Sequence, residues 1–551
     1  MKKTLRSISR MAAGVALALL AAVVGCSDKD SGGTAAGTGG TGSGGASAAE
    51  KRGSITVSLY DRGNIPAEEG TMDNNRWTKW VNANGPADVK FVPIPRWESL
   101  QKYNVLFASG SAPDLIMEFD RSYLGQLYNQ KQLLPLDNLI NQYSKEYKAR
   151  LDRYPALKKA ATMPDGKMYF LGRPYNMDPN HYLFIRADWL KKLNLQVPTT
   201  TDELLAVAKA FTENDPDGNG KKDTQGIALS FISGIVLNHM FGNGFTLFGT
   251  DQYPWMLRDD KIVHDWDRLK AAIAFQKTVY DAGYTDKDFV TDKNGAKSAQ
   301  DWMAGKVGIY GSSLNVKNYE TLKKNVPDAE IVPIALPKTE FGQFSPLLNN
   351  PIQITGAVNA SAKDPAAVIR AIDFMSSDGF KTTIGNGLEG EHYKKGANGC
   401  PEPIDPEKTK KEVSYIADMN MLASLAPDAC TGLENKTNPS PAEKDMIEAL
   451  KQGRKAYVDA SRPMPGVTHR DFLPLLPQDL AQINTNANKT ILDMANKAIV
   501  GGSGYTAEQF IRDAKAAWEK AGGTKVDDFY DKWYRDNKDS ALLMKDLYEM
   551  K

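Results

Sequence analysis

The chain has 551 residues, 41% of them hydrophobic and 25% charged, with a formal net charge of +1. That balance excludes the basic surplus by which nucleic-acid binders neutralise phosphates, and the composition is that of an ordinary soluble globular protein. The length suits two or more large lobes.

The first ten residues carry Lys2, Lys3, Arg6 and Arg10 and no acid, and an apolar run follows from Met11 to Val24. A basic start with a short apolar core predicts a secretory signal peptide. The run is shorter than the roughly 20 apolar residues of a comfortable membrane span. It ends in Val23-Val24-Gly25-Cys26, which resembles the lipobox of bacterial lipoproteins. The resemblance implies removal of residues 1–25 and a diacylglycerol on the Cys26 thiol, with palmitate among the acyl chains. Two or three acyl chains give a stable anchor, since each buried methylene contributes ~0.8 kcal/mol. Residues 26–53 are the lipidated cysteine and a tether rich in Gly, Ser, Thr and Ala, which buries too little apolar surface to fold.

Residues 54–60 alternate and are β-branched, which predicts a strand. Residues 73–82 follow as a helix with Trp77 and Trp80, and 89–94 as a second strand. In 98–109, Leu100, Tyr103, Leu106 and Phe107 share one side of a helix. A turn at 109–114 leads to a short buried strand at 115–117, and Leu133-Leu-Pro-Leu-Asp137 leads into a further helix. Strands are predicted at 168–171 and 182–185, and a short helix at 188–193. Pro198 to Glu203 opens a helix running to about Phe211, capped by Thr200 or Thr201 with an acid in its first turn. Residues 269–282 and 365–376 are amphipathic helices, the second with Asp364 as its cap and Pro365 at its first position. The last hundred residues are mostly helical, including 507–521 and 526–534. Strands alternating with helices favour an α/β fold built on a parallel sheet with helices on both faces.

Besides Cys26 there are Cys400 and Cys430. Outside the cell they can form a disulfide, with two buried free thiols as the alternative. The five histidines (His181, His239, His264, His392 and His469) show no metal-ligand or triad spacing. No Gly-x-Ser-x-Gly elbow, no His-Glu-x-x-His helix and no nucleotide-binding motif is present.

Seven segments stand in a recognisable order: Ser109-Gly-Ser-Ala-Pro-Asp-Leu-Ile116, Leu134-Pro-Leu-Asp137, Pro164-Asp-Gly-Lys167, Arg186-Ala-Asp-Trp189, Pro198-Thr-Thr-Thr-Asp-Glu203, Ala304-Gly-Lys-Val-Gly308 and Gly387-Leu-Glu-Gly-Glu-His-Tyr393. Together they resemble the extracellular solute-binding proteins of ABC carbohydrate importers, in the large lipoprotein branch of oligosaccharide- and alginate-binding receptors. The resemblance runs from about Ser54 to the carboxy terminus. It implies a two-lobe periplasmic-binding-protein-like α/β fold with hinge segments and a helical carboxy-terminal region. Lobe 1 is expected at 54–175 and 350–462, and lobe 2 at 176–349 and 463–551. Crossings are expected between Gly172 and Tyr182, near Leu348 to Thr355, and near Arg462 to Val467. The implied function is capture of a saccharide between the lobes of a monomeric, membrane-anchored receptor on the outer face of the cell. Hinge closure then reports occupancy to a permease with a cytosolic ATPase. The alternatives are an oligopeptide receptor and, in a different class, a secreted carbohydrate-active enzyme.

Asp215-Pro-Asp-Gly-Asn-Gly-Lys-Lys-Asp223 sets oxygen side chains at loop positions 1, 3, 5 and 9. That spacing suits calcium, with a backbone carbonyl at position 7. Asp215, Asp217, Asn219 and Asp223 are the side-chain ligands expected, and Lys221 serves by its carbonyl. Position 12 is Gly226 and not Glu. Alginate-binding relatives are similar through position 9 and place a Glu beside it, where this chain has Thr224 as a weaker substitute. The ion is expected to be structural.

Saccharides present C–H faces and hydroxyls, so their sites combine aromatic platforms with charged or amide groups. In this fold such groups come from loops at strand ends. The candidates are Tyr60, Arg62, Arg96, Trp97, Glu118, Asp120, Arg173 and Tyr175 beside the first strands and hinge. Asn243, Phe245 and Trp255 come from a Gly-rich stretch, and Glu389 and Tyr393 from the Gly-Leu-Glu-Gly loop. Each aromatic has core packing as its alternative, and each acid a solvated surface or a helix cap. Trp77, Trp80, Trp189 and Trp302 read as core.

Overall fold

The strands, in chain order, are β1 (Gly53–Asp61), β2 (Ala87–Pro95), β3 (Leu115–Met117), β4 (Phe170–Pro174), β5 (Tyr182–Arg186), β6 (Gln225–Ile227), β7 (Trp255–Arg258), β8 (Lys261–His264), β9 (Val307–Ser312), β10 (Ile331–Pro333), β11 (Ile352–Val358), β12 (Tyr393–Lys395) and β13 (Pro401–Pro403). The structure is a computed structural model describing residues 52–245, 254–424, 430, 432–436, 438–474, 476–539 and 541–550. The expected signal peptide, Cys26 and the tether to Lys51 lie outside the described residues.

One sheet runs β2-β1-β3-β11-β4 and a second runs β10-β5-β9-β6. In the first, β1 is parallel to β2 and β3, whereas β11 is antiparallel to both β3 and β4. The expectation of a parallel sheet is therefore corrected to a mixed one, and topology gives the reason. The chain leaves the first sheet at the carboxyl end of β4, builds the second, and returns as β11 along the edge it left. A strand entering at an exit edge must run against the strand that left there. The second sheet is mixed too: β5 is antiparallel to β9 and β10, and β6 is parallel to β9.

Local signals fix the helix ends. The helix predicted from residue 73 starts later, at Arg76–Asn84, because Asn75 accepts the backbone N–H groups of Trp77 and Thr78 and closes a capping box. Thr200 caps Thr201–Glu213, with Glu203 completing the box. Asp364 caps Pro365–Met375 with Pro365 at its first turn. The helix predicted at 269–282 spans Trp266–Asp281, started earlier by the Asp265 cap.

Among the described residues there are two apolar cores. Ile55, Val57, Leu59, Trp77, Ile116 and Phe170 belong to the first together with Tyr182, Phe184, Val307 and Tyr310 of the second sheet, and Leu183, Ile185, Trp189, Phe211, Ile309, Ile491 and Trp518 belong to the second. Trp77, Trp189 and Trp302 are buried as expected, and Trp80 stacks on Phe374. Among the described residues, no helix is long and apolar enough to cross a membrane.

Candidate functional site

The carboxyl ends of β1, β2, β3 and β4 share one edge of the first sheet, so the residues just beyond them gather although the chain separates them widely. Tyr60 closes β1 and is buried. The Arg96 guanidinium, just after β2, lies over its ring at 4.7 Å. Phe119, just after β3, stacks on the same ring at 6.0 Å. Burial, and then the neighbouring Glu118, push the Tyr60 hydroxyl well above its ordinary pKa. Trp97 lies against two guanidinium groups, Arg62 at 5.7 Å and Arg96 at 5.6 Å from its ring centre. Its side chain is 77% exposed, the most open large apolar group among the described residues.

Arg173 ends this row on β4. It is buried, donates Nε to Gln353 at 2.9 Å and Nη1 to the Asn420 carbonyl at 2.9 Å, and faces Phe119 and Tyr175. Burial lowers its pKa to about 10. Tyr175 donates its backbone N–H to Pro351 at 2.9 Å and so sits where the outgoing and returning chains meet. Arg62 makes a two-point pair with Asp418, at 2.6 and 3.1 Å.

Asp418 and Asn420 belong to the 3-10 turn Ser414–Asn420. Sequence reasoning missed this turn, and Phe119 with it. Asp418 is 356 residues from Arg62, and nothing local marks it. The turn lies inside the loop closed by the Cys400–Cys430 disulfide.

The acids of the edge have structural duties. Glu118 is buried and accepts the Asp120 N–H at 2.8 Å. Asp120 caps helix Arg121–Asn129 by accepting the Tyr123 N–H at 3.0 Å.

The remaining candidates do not join this group. Asn243 is fully buried; it donates to the Asp265 carbonyl at 3.0 Å and accepts the Phe245 N–H at 2.9 Å, so it pins a turn. Phe245 is buried, and its carbonyl accepts from Asn238 at 2.7 Å. Trp255 packs against Tyr530 and Trp518, and its indole N–H reaches Asp527 at 2.7 Å. The expectation of ligand contact is corrected for these three: Asn243 and Phe245 are buried in a turn they pin together, and Trp255 is covered by the carboxy-terminal helices. Glu389 is exposed, 3.6 Å from Lys395, and Tyr393 is buried in the Tyr393–Lys395 hairpin strand. Among the described residues, no hydrogen bond, ion pair or ring contact ties either to the sheet edge. That loop instead packs on helix Arg76–Asn84, where His392 meets Trp77 at 5.7 Å.

Two acidic clusters bear on metal binding. Glu391, His392 and Glu412 bring their ligand atoms within 4.8 Å of one another. Arg76 already supplies the positive charge there, 2.6 Å from Glu412 and 3.5 Å from Glu391. His392 accepts the Leu388 N–H at Nδ1 and faces Glu412 with Nε2 at 3.2 Å, so the network is satisfied.

The 215–223 loop differs. The Asn219 side-chain amide nitrogen lies 2.7 Å from Asp217 and 3.0 Å from Asp223, and Asp215 accepts from the Asn219 and Gly220 N–H groups at 3.1 and 3.0 Å. Donors thus sit where these carboxylates converge, which is where a hard cation gains most. Turning the Asn219 amide would present its oxygen there instead, and these four oxygen side chains fit a calcium ion. Lys221 is exposed and donates its N–H to Asn219. Thr224 does not fit as a hydroxyl ligand: it is buried and donates its hydroxyl to the Phe211 carbonyl at 2.8 Å. The absence of Glu at position 12 has a steric cause. A Cβ on Gly226 would stand 2.0 Å from the Ala208 carbonyl oxygen, so the strand can lie against the helix only as glycine.

Comparison with known proteins agrees with this architecture. Residues 74–382 match the family model of bacterial extracellular solute-binding proteins. The fructooligosaccharide ABC transporter substrate-binding protein FusA of Streptococcus pneumoniae is 34% identical over 203 residues, a stretch that covers 34% of this chain and 37% of that protein. The polygalacturonan/rhamnogalacturonan-binding protein YtcQ of Bacillus subtilis is 25% identical, over 83% of this chain and 86% of that one. Among solved structures, an HMO-binding, ABC-transporter-associated solute-binding protein of Bifidobacterium longum infantis shares the fold with a TM-score of 0.70 and 18% identity, covering 88% of this chain and 99% of that one. The alginate-binding protein AlgQ2, solved without calcium ion, does so at 0.60 and 19% identity, covering 91% and 99%. With the family model spanning more than half of its length, the chain belongs to the bacterial extracellular solute-binding proteins.

Proposed function

We propose that the chain captures a carbohydrate, an oligosaccharide rather than a single sugar, and delivers it unchanged to an ABC import permease powered by a cytosolic ATPase. The observation that carries this reading is the open Trp97 ring, flanked by guanidinium donors, at the carboxyl edge of a sheet. An aromatic face beside polar donors is what a pyranose requires, and strand ends are where this class of fold binds ligands. The saccharide-binding names of FusA and YtcQ support the same class. The ligand sits between lobe 1 (54–175 and 350–462) and lobe 2 (176–349 and 463–551). In support, the first sheet takes its strands from 53–174 and 352–358, the second from 182–333.

The protein acts as a monomer tethered by lipid on Cys26, supported by the basic, apolar, Cys26-terminated leader. Calcium is held by Asp215, Asp217, Asn219, Asp223 and the Lys221 carbonyl, as a structural tie between helix Thr201–Glu213 and β6. Its support is the donor-filled convergence of carboxylates described above.

A thermal-shift panel of oligosaccharides, uronides and peptides tests the function, with chromatography of the mixtures. A saccharide at a hundred times its Kd stabilises by about 2.7 kcal/mol if it binds only the native state. Stabilisation by a saccharide left intact is expected. Stabilisation by peptides alone, or appearance of cleaved sugar, would overturn the reading.

A further inference from the structure

The arginines at the sheet edge are not equivalent. Arg62 is neutralised by Asp418, and Arg173 is engaged by Gln353 and Asn420. Arg96 has five N–H donors, and among the described residues it makes no hydrogen bond and no ion pair. Its Nε is buried without a partner. Its contacts are the faces of Tyr60, Trp97 and Phe119, at 4.7, 5.6 and 5.8 Å.

None of the nearby acids bonds to Arg96. Asp418 pairs with Arg62, Asp61 accepts the Gly63 N–H, Glu118 accepts the Asp120 N–H with Oε1 while its buried Oε2 has no hydrogen-bond partner, and Asp120 caps a helix. Glu98 is exposed to water. A half-buried guanidinium without a counter-charge is poorly solvated until an anion joins it. Its planar fork matches a carboxylate at two points, and a hydroxyl would occupy a donor without answering the charge.

We propose that the captured saccharide is acidic, with a hexuronate unit whose ring stacks on Trp97 and whose carboxylate is read by Arg96. This rests on the receptor reading above. Arg62 and Arg96 both lie within 6 Å of the Trp97 ring centre, so a pyranose on the indole has its ring substituent within reach of a guanidinium.

Isothermal titration of the purified protein tests it, using tri- and tetrasaccharides of galacturonate and of mannuronate. Each is offered as the free acid and as the methyl ester, beside neutral fructo- and malto-oligosaccharides. At least one free acid is expected to bind about tenfold or more tighter than its ester, with the gap narrowing as salt screens the contact. Arg96→Gln is expected to bring the acid to the affinity of the ester, removing the acid-over-ester preference; Trp97→Ala should weaken both. Equal binding of acid and ester, or an acid preference that survives Arg96→Gln, would overturn the inference. Should Arg96→Gln fail to fold, the acid-to-ester ratio of the unaltered protein decides. Binding of neutral oligosaccharides alone would sink the acidic inference and leave the receptor; binding of no saccharide would sink the receptor reading itself.

Discussion

Two tryptophan-centred regions of this molecule are built from the same residue types and come to opposite ends. Around Trp255, Trp518 packs edge to face and Tyr530 lies tilted against it, and both indole N–H groups share the Asp527 carboxylate, at 2.7 and 2.8 Å. Both indole N–H groups, which the sequence would flag for sugar recognition, already have an acceptor. Around Trp97 the ring is open, and its neighbour Arg96 has donors and no acceptor. Aromatics near charges therefore do not mark a site here; unmet hydrogen-bonding capacity beside an open ring does.

The comparison breaks most visibly on truncation. Trp255→Ala is expected to destabilise the fold by about 3–5 kcal/mol in urea denaturation, as a large buried ring leaves a cavity and Asp527 loses one of its two indole donors. Trp97→Ala should stay within about 0.5 kcal/mol of the parent and lose saccharide affinity instead. A similar stability loss in both would erase the distinction between core and platform.

Next in size is the Cys400–Cys430 bridge, which encloses the turn that supplies Asp418 and Asn420 to the edge. Replacing both cysteines by serine should cost about 3–4 kcal/mol by the chain-entropy argument. It should also weaken ligand binding, because Arg62 and Arg173 lose a fixed partner. Intact affinity in that variant would show that the turn does not position them.

Removing calcium with a chelator should lower stability by about 2.7 kcal/mol where the ion had stood at a hundred times its Kd. Asp217→Asn should abolish the response in a melting experiment.

Acid should weaken the second sheet's region more gently. Burial lowers His181 to about 4 and His239 to about 3, below their ordinary value of 6.5. The unfolded chain therefore binds more protons between about pH 6.5 and 4, so stability is fully present above that window and falls as pH drops through it. The slope is at most about 1.4 kcal/mol per pH unit for each histidine. His239→Gln should flatten the curve measured by chemical denaturation; an unchanged slope would place the proton uptake elsewhere.

Much of the fold was legible because its signals are local. Alternation placed β1, Thr200 and Asp364 declared their helix starts, and Trp77 and Trp189 were readable as core from helical spacing. The mixed sheet was not legible, because the direction of β11 follows from where a distant excursion returns. The site divided along the same line. Tyr60, Arg96, Trp97, Arg173 and Tyr175 lie at or just beyond strand ends, so a strand-end rule found them. Asp418 reaches the edge only through the disulfide-closed loop. Asn243, Phe245 and Trp255 were misplaced because a Gly-rich aromatic stretch has the same composition whether it is buried or lines a cleft. Thr224 and Gly226 carry no hint in the sequence that the strand lies on the Ala208 carbonyl.

The most direct test is a crystal structure of the protein with the saccharide that gives the largest thermal shift. A sugar ring stacked on Trp97, with Arg96 donating to the ligand, is the expected result. A sugar seated away from that edge, with Trp97 still open to solvent and Arg96 still without a partner, would contradict it.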